Sequence, residues 1–415
     1  MRGRPMRSVS SPRVPDRASR VALRSVRLTF FLTGLLFATW AARTPSIKHQ
    51  LGLDDGDLAV AFAGLNLGAL LGLRLGGWLT PRFGSATTLR IAVPVFALSL
   101  SAVLLAGNLA GLAAALVVFA VANSVVDVAM NSHGVAVERR AGRSLLSGIH
   151  AWHSLGVISG SLLGAAAEQA HLSITAHFAC TSVLVALFGV ATTRGLLPSS
   201  VDGARSSGTT QHPGGRWPAR LVALGALAFC VALAEGAAND WSAVYLHDEA
   251  HASSAVAAVG FGAFAGSMFL GRLCGDHLIN RVGPQRAFLA GVVTAGAGMG
   301  AALLVGGTVA GLVGFALFGL GLSYTFPLTF AASGRVVGVH PTHAIANIST
   351  LGYLGFFTGP TVIGLVADSA GLTVGLAVPA LVVLLAAFGV RAVRPPSTTT
   401  EGVAPTSATD PVRPA

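Results

Sequence analysis

Twelve runs of apolar residues, each about as long as a bilayer crossing, recur along the 415-residue chain, and this pattern restricts its fold more than any other. A hydrocarbon core about 30 Å thick requires roughly 20 residues of helix at 1.5 Å rise per residue. Lipid offers backbone groups no hydrogen-bonding partner, so only helices and closed barrels span it. The runs here are continuously apolar and rich in Leu and Ala, without the alternation of a lipid-facing strand, which makes them helices. They fall at about 26–45, 57–80, 88–107, 109–133, 147–169, 173–194, 219–246, 254–279, 285–305, 308–333, 343–367 and 372–392. Composition agrees: 53% of residues are hydrophobic and 10% charged, against about a quarter charged in a soluble domain.

The loops set the expected orientation. One alternating set carries Arg82 and Arg90, then Arg139, Arg140 and Arg143, then Arg205 and Arg216, then Arg281 and Arg286, then Arg335. The other carries Asp54, Asp55, Asp57, Glu168, Asp248 and Glu249, with Lys48 as almost its only base. Short basic loops stay inside, so both termini are expected in the cytoplasm and the protein in the cell membrane as a multi-pass chain. The net charge of +11 does not indicate nucleic-acid binding, because the bases are divided among loops between apolar spans and form no stripe with aromatics. Cys180, Cys230 and Cys274 lie singly in apolar runs, without metal-site or disulfide spacing.

Residues 1–24 hold seven Arg with Pro and Ser and read as a disordered basic cytoplasmic tail, and residues 395–415 as a second. A Ser-, Gly-, Thr- and Pro-rich linker, 195–218, divides a six-helix bundle at 25–194 from another at 219–394. The halves are copies. GLRLGGWLTPRFG after the second span matches GRLCGDHLINRVG after the eighth, so that Gly72, Gly76, Leu79, Arg82 and Gly84 correspond to Gly271, Gly275, Leu278, Arg281 and Gly283. The offset, 281 − 82 = 199, also relates Leu155, Gly156 and Gly160 to Leu354, Gly355 and Gly359. Two parallel halves of this kind place a binding site near mid-membrane between them.

A charged side chain at mid-membrane costs at least about 2.5 kcal/mol, so a carboxylate there marks function. Asn123, Asp127 and Asn131 recur every fourth residue and form one polar stripe, about 12 Å long, on the fourth helix. Asp127 in that stripe is the candidate to take up a proton from one side and release it to the other. Glu235, Asn239, Asp240 and Trp241 make a second cluster in the seventh helix, with Glu235 and Asn239 on one face and Asp240 and Trp241 nearer the outer surface. Arg43, at the outer part of the first helix, is placed to neutralise one of these acids or to bind an anionic solute. His150 and His153 begin the fifth helix near the expected cytoplasmic surface, where proton relay, gating and packing are all open readings. Arg82, Gly84, Arg272, Asp276, Arg281 and Gly283 sit at helix ends expected at the cytoplasmic side and are assigned to gating.

These features together resemble the major facilitator superfamily, whose loop between the second and third helices reads Gly-x-Leu-x-Asp-Arg-x-Gly. Here GGWLTPRFG matches at Gly77, Leu79, Arg82 and Gly84, with Pro81 in place of the acid, while the second half carries Asp276 ahead of Arg281. Within the superfamily the chain is similar to the fucose permease branch, including its YbjJ-like members, through WAARTPSIKHQLGL, DVAMNSHG and EGAANDWSAVYL. The resemblance to the permease pattern Glu-x-Ala-x-Asn-Pro implies that Asp127 handles solute and proton, with Asn131 as its amide partner. Where permeases have an acid near the outer end of the first helix, this chain has Arg43, Ser46 and Lys48. GVISGSLLG also resembles the fifth-helix motif of superfamily antiporters, with Ser161 in place of its proline, and Gly355, Gly359, Pro360 and Gly364 fit that spacing in the eleventh helix.

The expected fold is therefore all-α and integral to the membrane, with twelve helices in two pseudo-symmetric halves. There is no phosphate-cradling Gly-Lys-Ser/Thr loop, so the expected energy source is the proton gradient. The expected activity is proton-coupled symport of a small polar, sugar-like solute by alternating access. The alternatives are proton-driven export of a metabolite or drug, and a non-transporting receptor or scaffold on a transporter fold. No enzyme activity, cofactor or metal is implied. The expected partners are a small-molecule solute, protons and the lipid bilayer, with the protein a monomer.

Overall fold

Helices account for nearly all of the described residues, and each apolar run becomes one of them except the tenth, which becomes two. A computed structural model describes residues 17–53, 55–198 and 217–395. The helices are α1 (Arg17–Leu51), α2 (Asp55–Phe83), α3 (Ser85–Ala102), α4 (Leu109–Ala141), α5 (Leu146–Gln169) and α6 (Ile174–Thr193), then α7 (Ala219–Asp248), α8 (Ser254–Val282) and α9 (Pro284–Val305). Two segments, α10 (Gly307–Leu322) and α11 (Thr325–Ser333), form the tenth span, followed by α12 (Pro341–Ala370) and α13 (Leu372–Leu385). Asp54, Arg205, Arg216 and the outer parts of both tails lie outside the described residues.

Ten of these spans are long and apolar enough to cross a membrane on their own composition. The other two, α5 and α8, are as long but carry His150, His153 and Glu168, and Arg272, Asp276, His277 and Arg281. Those two helices pack on each other between the halves, where polar side chains find protein partners and not lipid.

α1 packs chiefly on α5, and α2 on α4; in the second half α7 packs on α12. Small residues permit this close approach. A Cβ on Gly156 or Gly160 would strike the carbonyl oxygen of Phe31 or Leu35, and one on Gly355 or Gly359 that of Phe229 or Leu233, so the repeat positions make the same contact in each half. The glycines that resemble an antiporter motif thus serve helix packing. Gly84 and Gly283 make single-residue turns with nearly identical backbone angles, φ 84° and ψ 152° against φ 86° and ψ 156°. That left-handed conformation favours Gly, which accounts for both positions as turns.

Two expectations change. α1 starts at Arg17, so residues 17–24 are helical and not part of a tail: Ala22 is fully buried and Arg140 donates to Ser19 Oγ at 3.0 Å. The tenth span is interrupted at Ser323 and Tyr324. Pro327, lacking an N–H, cannot close the helical bond to the Ser323 carbonyl four residues earlier.

The loops alternate between two ends of the bundle. Those around Gly84, Gly142, Gly283 and Gly338 form the end rich in Arg, here the basic end; those around Gly52, Gly107, His171, His251, Gly306 and Gly371 form the opposite end.

Candidate functional site

The polar stripe of α4 faces the other half. Asn131 is fully buried, and its Nδ2 donates to Asp127 Oδ1 at 3.0 Å and to the Asp127 carbonyl at 2.9 Å. On the far side of Asp127, Ser349 of α12 donates to Oδ2 at 3.4 Å. One turn along, the Tyr353 hydroxyl of α12 hydrogen-bonds Asn123. Ser349 and Tyr353 repeat the four-residue spacing of the α4 stripe, so two helices from different halves present matching polar rows.

The chain of hydrogen bonds continues into α5. His150 Nε2 lies 3.1 Å from Asn131 Oδ1. Because the Asn131 amide nitrogen is committed to Asp127, its oxygen accepts, and His150 carries its hydrogen on Nε2. The imidazole is held between Phe30, edge-on at 4.9 Å, and Phe330 of α11, stacked at 6.1 Å. His153 Nδ1 lies 3.4 Å from Thr33 Oγ1. The sequence placed both histidines near the cytoplasmic surface. The structure links His150 to Asp127 through Asn131.

Arg272 is the second centre, and its position corrects its assignment to the helix ends. Its Nη2 lies 3.4 Å from Glu235 Oε1 of α7, its Nη1 donates to Ser154 Oγ of α5 at 2.7 Å, and its Nε donates to the Ser323 carbonyl at 3.3 Å. That carbonyl is the one Pro327 leaves without a helical partner. One guanidinium therefore ties the broken tenth span, α7 and the opposite half together. Its charge also acts on His150 and His153.

Asp276 lies about 6 Å further along α8. α5 has no side-chain cap of its own at Leu145. Asp276 caps it from the other half, accepting from Gly148 N at 2.7 Å, Ser147 N at 3.1 Å and Ser144 Oγ at 3.0 Å. A carboxylate on the exposed amides of a helix start is favoured by both hydrogen bonding and the helix dipole. Asn280 extends the row, accepting from Ser144 N at 2.8 Å. Nearby, buried Glu138 accepts from Leu145 N and Leu146 N at 3.0 and 3.1 Å and pairs with Arg335 of the other half at 3.2 Å.

The remaining candidates lie apart from these centres. Arg43 is engaged at the opposite end of the bundle, paired with Glu168 and donating to the Leu172 carbonyl at 2.8 Å, so it does not reach Asp127, Glu235 or Asp240. Trp241 donates to the Pro360 carbonyl at 3.1 Å and covers Gly364, which ties α7 to α12 within one half. Asn239 is half-buried and Asp240 exposed. Arg82 is exposed against the Trp78 and Phe83 rings at 5.3 and 5.8 Å, and Arg281 is exposed. Among the described residues no cluster of three or more His, Cys, Asp or Glu could hold a metal ion.

Sequence reasoning missed Ser144, Ser147, Ser154, Ser323, Ser349, Tyr353, Glu138 and Asn280. The i, i+4, i+8 spacing of Arg272, Asp276 and Asn280 was the one signal available for this row.

Comparison with known proteins agrees with this architecture. The Major Facilitator Superfamily model matches residues 26–340 and 224–414. An uncharacterized MFS-type transporter of Yersinia pestis is 35% identical over 89% of this chain and 95% of its own. The membrane protein MosC of Rhizobium meliloti is 28% identical over 85% of each chain. Among solved structures, the superfamily transporter FucP in its outward conformation aligns with a TM-score of 0.72 at 17% identity, covering 91% of this chain and all of that one. The human organic anion transporter MFSD10 (TETRAN) aligns at 0.70 and 15% identity, covering 90% of this chain and all of that one. With the family model spanning both halves and the six-plus-six architecture in place, this chain belongs to the major facilitator superfamily of membrane transporters.

Proposed function

We propose that the protein is a proton-coupled symporter of a small polar solute, resident as a monomer in the cytoplasmic membrane with its basic end in the cytoplasm. The observation that carries this reading is the hydrogen-bonded chain His150–Asn131–Asp127–Ser349, which crosses from one half to the other through an intramembrane carboxylate. Ionised Asp127 only accepts, so both Asn131 and Ser349 donate to it; once protonated it must donate in turn, and one of these bonds has to be rearranged. The long 3.4 Å bond to Ser349 is the one that joins the halves, so the proton state of Asp127 acts on their separation. The side chains gathered between the halves here are polar, with Asn123, Asn131, Ser349, Tyr353 and the Arg272–Glu235 pair, which suits a hydroxyl-bearing solute. The fucose:proton symporter FucP of E. coli shares this fold, which accords with the reading at the level of fold.

The cross-half bonds named above lie at mid-span or at the basic end, whereas the polar contacts at the opposite end, such as Arg43 with Glu168 and Thr308 with the Ala250 carbonyl, stay within one half. This supports a conformation closed toward the cytoplasm and open outward.

The test begins with thermal stabilisation of the purified protein across sugars, polyols, nucleosides, organic acids and cationic drugs, since a ligand of the folded state must raise stability. A polar hit is then followed in proteoliposomes with an imposed proton gradient. Asp127→Asn is expected to abolish gradient-driven accumulation while leaving insertion and melting intact. Accumulation equal to that of the unaltered protein would refute the proton role.

A further inference from the structure

A cavity of about 570 Å³ opens at the basic end where α1, α5 and α8 meet, apart from the Asp127 and Arg272 centres. Arg27 of α1 lines it, with Arg143 from the α4–α5 loop and His277 of α8; Trp152 and Leu273 form its apolar wall. Asp276 also borders it, but its oxygens are occupied by the Gly148 and Ser147 amides and the Ser144 hydroxyl. Arg27 Nε is buried and has no hydrogen-bond partner, although Asp276 lies within electrostatic reach of the guanidinium. Arg143 and His277 are exposed at the mouth.

The surroundings of the mouth identify the occupant. Leu273 is 52% exposed, and Leu270 and Leu155 on the same two helices are 59% and 37% exposed, so the seam beside the cavity presents an apolar surface to the bilayer. A cavity at interfacial depth, with two arginines and a histidine on its polar side and an indole and leucines on the other, has the two-part chemistry of a phospholipid: an anionic phosphate for the guanidinium groups and acyl chains for the seam. Trp152 has the amphipathic character of an interfacial side chain.

We propose that this cavity binds the headgroup of an anionic phospholipid, with Arg27 and Arg143 holding the phosphate. Those arginines belong to the first half and His277 to the second, so the bound lipid spans the seam that Asp276 closes and favours the conformation closed at the basic end.

The experiment uses the purified full-length protein in a neutral detergent and follows its melting with dioctanoyl phosphatidylglycerol, dioctanoyl phosphatidylcholine or inorganic phosphate. Phosphatidylglycerol is expected to raise the melting temperature and phosphatidylcholine to leave it nearly unchanged. The apparent affinity for phosphatidylglycerol is expected to fall about fivefold in each of Arg27→Gln and Arg143→Gln. Arg143 is exposed, so its variant tests the site even if Arg27→Gln folds poorly. Equal stabilisation by both lipids, or an unchanged response in Arg143→Gln, overturns the site. Stabilisation by inorganic phosphate alone that matches phosphatidylglycerol and depends on the same arginines overturns the lipid as its source.

Discussion

Two seams join the halves at the basic end, and the internal repeat makes them counterparts. At the 199-residue offset, Asp276 of α8 corresponds to Gly77 of α2, and Ser147 of α5 to Ala346 of α12. Asp276 caps the Ser147 amide across the α5–α8 seam, while at the α2–α12 seam a Cβ on Gly77 would meet Ala346 Cβ at 3.0 Å. Leu73, the counterpart of Arg272, lies in a buried apolar cluster with Val128 and Ala346, against which Tyr353 packs. One fold thus makes the same contact twice, with charge and hydrogen bonds on one side and methyl packing on the other. The polar seam is held by directional bonds, and the apolar seam by non-directional contacts. The fourth and tenth spans divide similarly: Asp127 and Asn131 correspond to Phe326 and Phe330, so the intramembrane carboxylate is carried by one half and the aromatic wall behind His150 by the other.

The strongest way to break this comparison is Asp276→Ala. It strips acceptors from two backbone amides and the Ser144 hydroxyl, and bonds to a charged group contribute about 1.5–3 kcal/mol each. Spin labels at positions 90 and 286, one in each half, are expected to report at least a tenfold shift toward separation at the basic end. A smaller shift than that of Gly77→Ala would show that the apolar seam is the one that holds the halves.

Gly77→Ala comes next. Its added methyl must displace Ala346, an overpacking cost of about 1–3 kcal/mol that opposes closure. The same spin-label pair is expected to shift in the same direction by a smaller factor.

Arg335→Gln has a weaker effect. Arg335 is a third exposed, and Glu138 keeps its two amide donors when the arginine is lost, so about 1 kcal/mol is expected, read as a roughly fivefold change in the same populations.

Arg43→Gln should move these distances least. The pair lies within one half, so no change in the spin-label distances is expected, whatever the loss of the buried Arg43 guanidinium does to overall stability. A shift in the distances would mean that the two ends are coupled through α1 and α5.

How much of this was legible follows from the range of each interaction. The twelve spans could be read directly because hydropathy is local and a membrane helix satisfies its own backbone. The break in the tenth span is also local, since Pro327 removes one bond at a known place, although its consequence, a free Ser323 carbonyl, shows only once Arg272 is seen to take it. Asp127 stood out because ionisable residues are rare in such helices. Ser349, Ser154 and Ser144 did not, because serine is tolerated anywhere in a helix and gains a role only from what faces it.

By itself, then, the sequence determined the all-helical membrane fold, the repeat and the carboxylate at the centre, all of which depend on composition, spacing or cost per residue. The tertiary structure alone decided which charge meets which. Arg272 reaches Glu235 and Ser154, Asp276 reaches the α5 amides, and Arg43 turns to Glu168. Those pairings depend on helix faces brought together from more than a hundred residues apart in most cases, a geometry that packing sets and no local pattern encodes.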